Sequence, residues 1–342
     1  MLRLVAITSF IVLALSAPAA AATTVRCTGD PSTAQRLDIT VAGEAAWGRY
    51  ALPKAAPRGL VVYFHGYGHT ADDWADHLRR AAAEEGVIAV AMNYRGQAGT
   101  RGWQVSEGAA DSIAAAQLFD RTCRPPTIVA YGVSMGGNAS GLAVASRAVR
   151  ANGAPLFDQW FDIEGAVNVI EIYTAARGLA ATGNTFAAAA VADMEREMGG
   201  TLEERPEAYT TRTIVRRAED IKASGVMGVT IVHGVDDGLV PYSQSREMQT
   251  RLRALGIPTD MFTVGTRGPG SEAGTTLTGS LVPGFDSPLA GHADETSTTH
   301  LVGKTGFERL SAYLRTREVP QCRDFVVDGT TGTMTQVAGA GC

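Results

Sequence analysis

Three residue types that together can cleave acyl bonds occur along this chain in one order: a serine at Ser134, an aspartate pair at Asp236-Asp237, then two late histidines, His292 and His300. A serine hydroxyl is a poor nucleophile at neutral pH. It needs a histidine to take its proton and a carboxylate to orient that histidine. Ser134 stands in Gly132-Val133-Ser134-Met135-Gly136-Gly137, a Gly-x-Ser-x-Gly pattern. Residues 127–131 before it are β-formers, and residues 138–150 after it are alanine-rich and helix-like. Strand, sharp turn and helix would lift the hydroxyl clear of a sheet, and the flanking glycines let neighbouring chain pass close by. For a serine so placed, the acid follows in sequence and the histidine comes last.

Asp237 lies on the loop just past a β-forming run at 229–232 and is the preferred acid, with Asp236 as the alternative. Only His292 and His300 follow it. His292 falls on a loop that can aim a ring across the site and is preferred. His300 abuts the last predicted helix and can cap or start it. His233 reads as a structural residue at its strand end, and His69 and His77 as surface histidines of the first helix. A developing oxyanion needs backbone donors. Met135, next after the serine, supplies one, and Tyr67 in His65-Gly66-Tyr67-Gly68 is the second candidate. No HExxH or comparable ligand cluster occurs, so a metal-dependent hydrolase is not indicated.

These residues need a frame. Short strands are predicted at 36–41 and 46–52, buried strands at 59–64, 87–92, 127–131, 159–164 and 227–232, and a closing strand at 260–264. Helices are predicted at 72–85, at 106–121 with Ser106 as N-cap, and at 301–315. Strands alternating with helices specify an α/β fold with a mainly parallel sheet covered on both faces. The site of such a sheet lies at the carboxyl ends of its strands. His65-Gly66, Ser134 and His233-Gly234 all come just after a strand and should meet on one rim. Residues 166–222 break the rhythm, are mostly helical, and are expected to form a small cap insertion over that rim. Residues 265–290 form a long loop rich in Gly, Ser, Thr and Pro.

The 342 residues are 45% hydrophobic and 19% charged, which suits a globular chain with a sizeable core. A net charge of -5 without a basic run gives no footprint for nucleic acid. Residues 1–22 read as a secretory signal: Arg3, an apolar run at 4–15, then a small-residue stretch ending in Ala20-Ala21-Ala22. That run is too short for a comfortable bilayer span, so no stable membrane anchor is expected. Residues 23–342 form the expected mature domain. Its four cysteines, Cys27, Cys123, Cys322 and Cys342, then suggest two disulfides. Three pairings are open. Cys322–Cys342 closing the tail at 316–342, with Cys27–Cys123, is favoured.

The motifs His65-Gly66-Tyr67-Gly68, Gly132 to Gly137, His233-Gly234-Val235-Asp236-Asp237-Gly238-Leu239-Val240-Pro241 and Gly291-His292 resemble the α/β-hydrolase superfamily in type and order. Gly136-Gly137, Val240-Pro241-Tyr242-Ser243-Gln244-Ser245 and Pro206-Glu207-Ala208-Tyr209 look most like the prolyl-oligopeptidase type of catalytic domain. The resemblance implies an α/β-hydrolase fold, a Ser134–His292–Asp237 triad, an acyl-enzyme and no cofactor. Peptidases of that type usually carry a large N-terminal propeller, and only a few dozen residues precede the first strands here. The expectation is therefore a secreted esterase acting on a small-molecule or polymeric ester. A peptidase or amidase acting on short peptides is the first alternative, and a non-catalytic binding protein on the same fold is the second.

Overall fold

The computed structural model describes residues 24–96, 102–265, 292–293, 297–298, 300–329, 331–337 and 342. The secretory-signal expectation at 1–22 and nearly all of the long loop at 265–290 lie outside them. Among the described residues, ten strands form one sheet in the order β1-β2-β4-β3-β5-β6-β7-β8-β9-β10. The first pair, β1 (Gln35–Val41) and β2 (Glu44–Ala51), is an antiparallel hairpin. β2 also runs antiparallel to β4 (Ile88–Asn93). The centre is parallel: β4, β3 (Leu60–Phe64), β5 (Ile128–Val133), β6 (Gln159–Ile163), β7 (Gly228–Gly234) and β8 (Thr259–Val264).

The central strands are buried on both faces, so they read as continuous apolar runs instead of alternating ones. Along β3, Leu60, Val62 and Phe64 join one core layer while Val61 and Tyr63 join the other. Helices α2 (Val105–Cys123), α3 (Met135–Ala145), α7 (Ala218–Ser224) and α8 (Tyr242–Ala254) cover the first layer. Helices α1 (Ala75–Arg80) and α9 (Leu301–Thr316) cover the second. Between β6 and β7 the chain forms α4 (Val169–Ala180), α5 (Thr185–Met198) and α6 (Pro206–Arg212) before α7. No helix of the described residues is long and apolar enough to cross a membrane.

Several local expectations change. The sheet does not close at β8: the tail supplies β9 (Asp324–Val327), parallel to β8, and β10 (Met334–Val337), antiparallel to β9. Phe325 stacks on Phe262 with ring centroids 4.6 Å apart, a contact between segments distant in sequence. Disulfides pair Cys27 with Cys123 and Cys322 with Cys342, so one joins the N-terminal segment to the end of α2 and the other fixes the chain end. Helix α1 starts at Ala75, later than 72, because Asp73 accepts from the Thr70 N–H and hydroxyl in a turn that precedes it. A π-helical stretch, Ala81–Glu85, follows it. Helix α2 is capped at Gln104, not Ser106, whose hydroxyl accepts instead from Arg212 Nε. His77 is no surface residue either: it is buried and stacks on Phe307 at 4.4 Å.

Candidate active site

Ser134 joins β5 to α3 with φ 57° and ψ -125°, a conformation that side chains rarely adopt. Such a position costs of order 1–3 kcal/mol and persists only where the surroundings enforce it. The surroundings here are the end of β6. Ser134 N–H donates to Ile163 O, and its carbonyl accepts from Gly137 and Ala166 N–H at 2.9 and 3.0 Å. A Cβ at Gly132 would collide with Gly136 O, and one at Gly136 with Phe64 O, so the turn closes only with glycine on both sides. Met135 begins α3, where a first-turn N–H has no acceptor within its own helix. That makes it available to an oxyanion.

Tyr67 follows β3 in a turn. Its ring packs against Trp103 and Phe186, and its hydroxyl donates to Asp193 Oδ2 at 2.7 Å, tying the rim to α5. Beneath that turn His65 is fully buried, lies 3.8 Å from the Tyr94 ring, and has its Nδ1 3.0 Å from Gly66 O. Burial holds its pKa down to about 4, so it is neutral and braces the turn.

Asp237 and His292 are brought together: Nδ1 of His292 lies 2.7 Å from Asp237 Oδ2. The other Asp237 oxygen, Oδ1, accepts from the N–H groups of Leu239 and Val240. His233 lies below, with Nε2 3.2 Å from Asp237 Oδ2 and 2.9 Å from Val240 O, and Nδ1 2.7 Å from Ser245 Oγ. Burial alone would raise the Asp237 pKa. The two histidines and their hydrogen bonds outweigh it and hold that carboxyl well below the usual carboxylate range. In His233 burial disfavours the charged ring, but Asp237, Glu164 and Val240 together raise its pKa. His300 is engaged elsewhere: it caps α9, its Nδ1 accepting from Val302 N–H at 3.3 Å. Of the two acids considered, Asp237 is the one whose carboxylate lies against His292 Nδ1.

One residue of this cluster was not singled out from the sequence. Glu164, directly after β6, is completely buried, and its Oε2 lies 3.5 Å from His292 Nδ1 while accepting from Ala293 N–H at 2.7 Å. Burial first, and then the charge on Asp237, push its pKa up to about 7. A signal was present, since an acid at the carboxyl end of an apolar strand points to the rim. Atoms of Glu164, Asp237 and His292 lie within 4.8 Å of one another, as ligands of an ion would. Asp237 Oδ2 bonds Nδ1 and Glu164 Oε2 holds Ala293 N–H, and both carboxylates face that one ring nitrogen.

Ser134 opens into a cleft of about 120 Å³. Tyr67 and Trp103 form one wall, Leu239 and Val240 another, and α4 and α5 contribute Ile172 and Phe186. No charged side chain lines it among the described residues.

Residues 61–268, more than half of the chain, match the model of a family described as the alpha/beta hydrolase family. No curated protein matches. Solved structures share the fold. Acylaminoacyl peptidase of Pyrococcus horikoshii superposes with a TM-score of 0.57 at 14% identity, over 83% of this chain and 41% of its own. A Mycobacterium tuberculosis puromycin-hydrolyzing peptidase gives 0.54 at 17%, over 85% and 41%. A puromycin hydrolase gives 0.50 at 18%, over 68% and 35%. The chain thus spans roughly two fifths or less of the length of these structures. At these identities the likeness is one of fold.

Proposed function

We propose, from the premise that this chain belongs to the α/β hydrolase family, that it is a secreted serine hydrolase of carboxylic esters. Ser134 is the nucleophile, His292 the base and Asp237 the orienting acid. The observations that carry this reading are the 2.7 Å contact between His292 Nδ1 and Asp237 Oδ2 and a serine held on a strained strand-to-helix turn. Asp237 is ionised, so Nδ1–H donates to it and Nε2 is left with a lone pair. Nε2 takes the Ser134 proton as Oγ adds to the ester carbonyl. The oxyanion accepts from Met135 and Tyr67 N–H. As the tetrahedral adduct collapses, His292 returns the proton to the leaving alcohol, and water then releases the acyl group by the same route.

The cleft favours a neutral ester. Its described lining is apolar and uncharged, so a substrate with a free amino or carboxyl group beside the scissile bond would be desolvated without a counter-charge. The two disulfides support an exported chain.

A panel of p-nitrophenyl esters set against aminoacyl anilides tests the bond class, and higher kcat/KM on the anilides would replace the esterase by a peptidase. Ser134→Ala should lose about 10⁴-fold or more in kcat. A fluorophosphonate probe should label wild type at Ser134 and leave the variant unlabelled. Folded wild type that takes up no probe would instead favour a binding protein.

A further inference from the structure

His292 faces two carboxylates, and only one is needed to orient a ring. Asp237 is the nearer, at 2.7 Å against 3.5 Å for Glu164, and both approach the same nitrogen, Nδ1. Glu164 is not there by default of the fold. Its backbone has φ 50°, in the left-handed region, which for a glutamate is strained. Its N–H donates to Val232 O, aligning it with the end of β7. Its side chain is fully buried, Oε2 holds Ala293 N–H next to the histidine, and Oε1 has no partner among the described residues. A buried acid on a strained backbone with an idle oxygen is a costly way to hold one loop amide.

We propose that Glu164 is a positioning residue with two tasks: it fixes the His292 loop through Ala293, and it serves as a reserve carboxylate for His292 Nδ1. This rests on the triad reading given above. The second task follows from the distances. With Asp237 in place, two carboxylates so close do not both ionise readily, and Asp237, with more donors, takes the charge. Besides Asp237, the groups facing Glu164 are His233 at the end of β7, His292 on its own loop and the Tyr131 phenol of β5. When the Asp237 charge is removed, the main neighbouring charge that disfavours ionised Glu164 goes with it. A shift of less than about 1 Å then brings Oε2 to hydrogen-bond distance of Nδ1.

The test is a double-mutant cycle on the full protein, read as kcat with p-nitrophenyl butyrate, with Ser134→Ala defining the floor. Asp237→Ala should lose about 10²-fold and stay well above that floor. Asp237→Ala with Glu164→Gln should fall a further ~10²-fold, to the floor. Glu164→Gln alone can still accept from Ala293 N–H and should lose less than about tenfold. Rescue of the Asp237→Ala, Glu164→Gln protein by restoring only Glu164 is what a purely structural glutamate would not give. If Asp237→Ala does not fold by near-UV circular dichroism, Asp237→Ser carries the same comparison: its hydroxyl can still accept from Leu239 or Val240 N–H and, unlike an asparagine, it places no amide NH2 against His292 Nδ1. Asp237→Ala at the floor, or a double variant no slower than Asp237→Ala, overturns the proposal while the hydrolase reading stands. Wild type that neither turns over the ester nor takes up a fluorophosphonate overturns both.

Discussion

Two buried aspartates, one inside β6 and one just past β7, have opposite fates. Asp162 and Asp237 are both almost wholly removed from water. Asp237 is ringed by donors: two backbone N–H groups and two histidines. Asp162 has no hydrogen-bond partner for either oxygen among the described residues. It lies under the serine turn, where a Cβ on Gly137 would come within 2.5 Å of Oδ1 and one on Gly165 would collide with it. Burial pushes the Asp162 pKa up to about 7, with His233 opposing weakly, whereas Asp237 is held well below the usual range. Burial alone therefore does not set the charge of a carboxylate in this core. The donors around it do, and the loop after β7 supplies them in a way that the interior of β6 does not.

The sharpest way to break this contrast is in catalysis. His292→Ala should cost about 10⁴-fold in kcat, and adding Ser134→Ala should cost little more, because members of a triad act as a unit. On that scale Asp162→Asn should remain within about tenfold of wild type, since Asp162 has no contact with the histidine. Steady-state kinetics with a p-nitrophenyl ester decide it. An Asp162→Asn enzyme as slow as His292→Ala would mean that the donor-poor acid, not Asp237, serves the base.

The same contrast predicts opposite dependence of stability on pH. In Asp162 the folded pKa, about 7, exceeds the ordinary value of 3.8, so the folded chain keeps a proton that the unfolded chain gives up. Its contribution is fully present below about pH 4, declines as pH rises towards 7, and is flat above. Asp162→Asn has no such proton. It should match wild type near pH 4 and exceed it at pH 8 by up to about 4 kcal/mol, at about 1.4 kcal/mol per tenfold change in acidity. Asp237 has the reverse sign, with a folded pKa below 3.8. Its contribution is present above that value and is lost as pH falls through the folded pKa, so Asp237→Asn should be most destabilising at neutral pH. Urea midpoints of wild type and Asp162→Asn at pH 4 and pH 8, and of wild type and Asp237→Asn at neutral pH and below pH 3, test the two signs. Glu164 titrates in the same range as Asp162 and is present in wild type and in Asp162→Asn, so their difference isolates Asp162; in Asp237→Asn the charge that raises Glu164 is gone, so that variant reports both acids together.

The residues of the proposed site could be picked out along the chain because each sits at a strand end that local pattern reveals. Apolar runs locate β3 to β8, Gly-x-Ser-x-Gly locates the turn, and Asp237 and His292 follow from the order acid then histidine. Acids inside a buried strand were harder to interpret. Reading 159–164 as one strand concealed that Asp162 and Glu164 face different surroundings, although charges in Phe161-Asp162-Ile163-Glu164 conflict with a dry parallel strand. The pair β9 and β10 was missed for another reason. Four-residue segments beside Gly and Thr carry little local signal, and pairing to β8 depends on contacts such as Phe325 on Phe262. His77 looked like a surface residue because helical spacing near Trp74 does not reveal that α9 covers that face with Phe307.

The smallest effect tests the layer beneath Asp237. Ser245 on α8 is buried, and its Oγ lies 2.7 Å from His233 Nδ1. A neutral imidazole has one donor and one acceptor nitrogen. If the hydroxyl donates to Nδ1, Nε2 must carry the proton, and that N–H points at both Val240 O and Asp237 Oδ2. One serine therefore orients a donor two bonds away, which in turn supports the ionised form of Asp237. Ser245→Ala removes the hydroxyl and leaves Nδ1 unpaired in a dry site, at a cost of about 1–3 kcal/mol in stability. His292 keeps its own contact with Asp237, so kcat should fall less than about threefold. Loss of a donor to Asp237 leaves its carboxylate less neutralised, which better stabilises the His292 imidazolium, so the low-pH limb of kcat/KM, which reports that base, should move upward. Chemical denaturation and a pH–rate profile measure the two effects. A stability loss with no movement of the acid limb would show that His233 braces the fold without tuning Asp237, and would shrink the contrast with Asp162 to the two backbone N–H groups and His292.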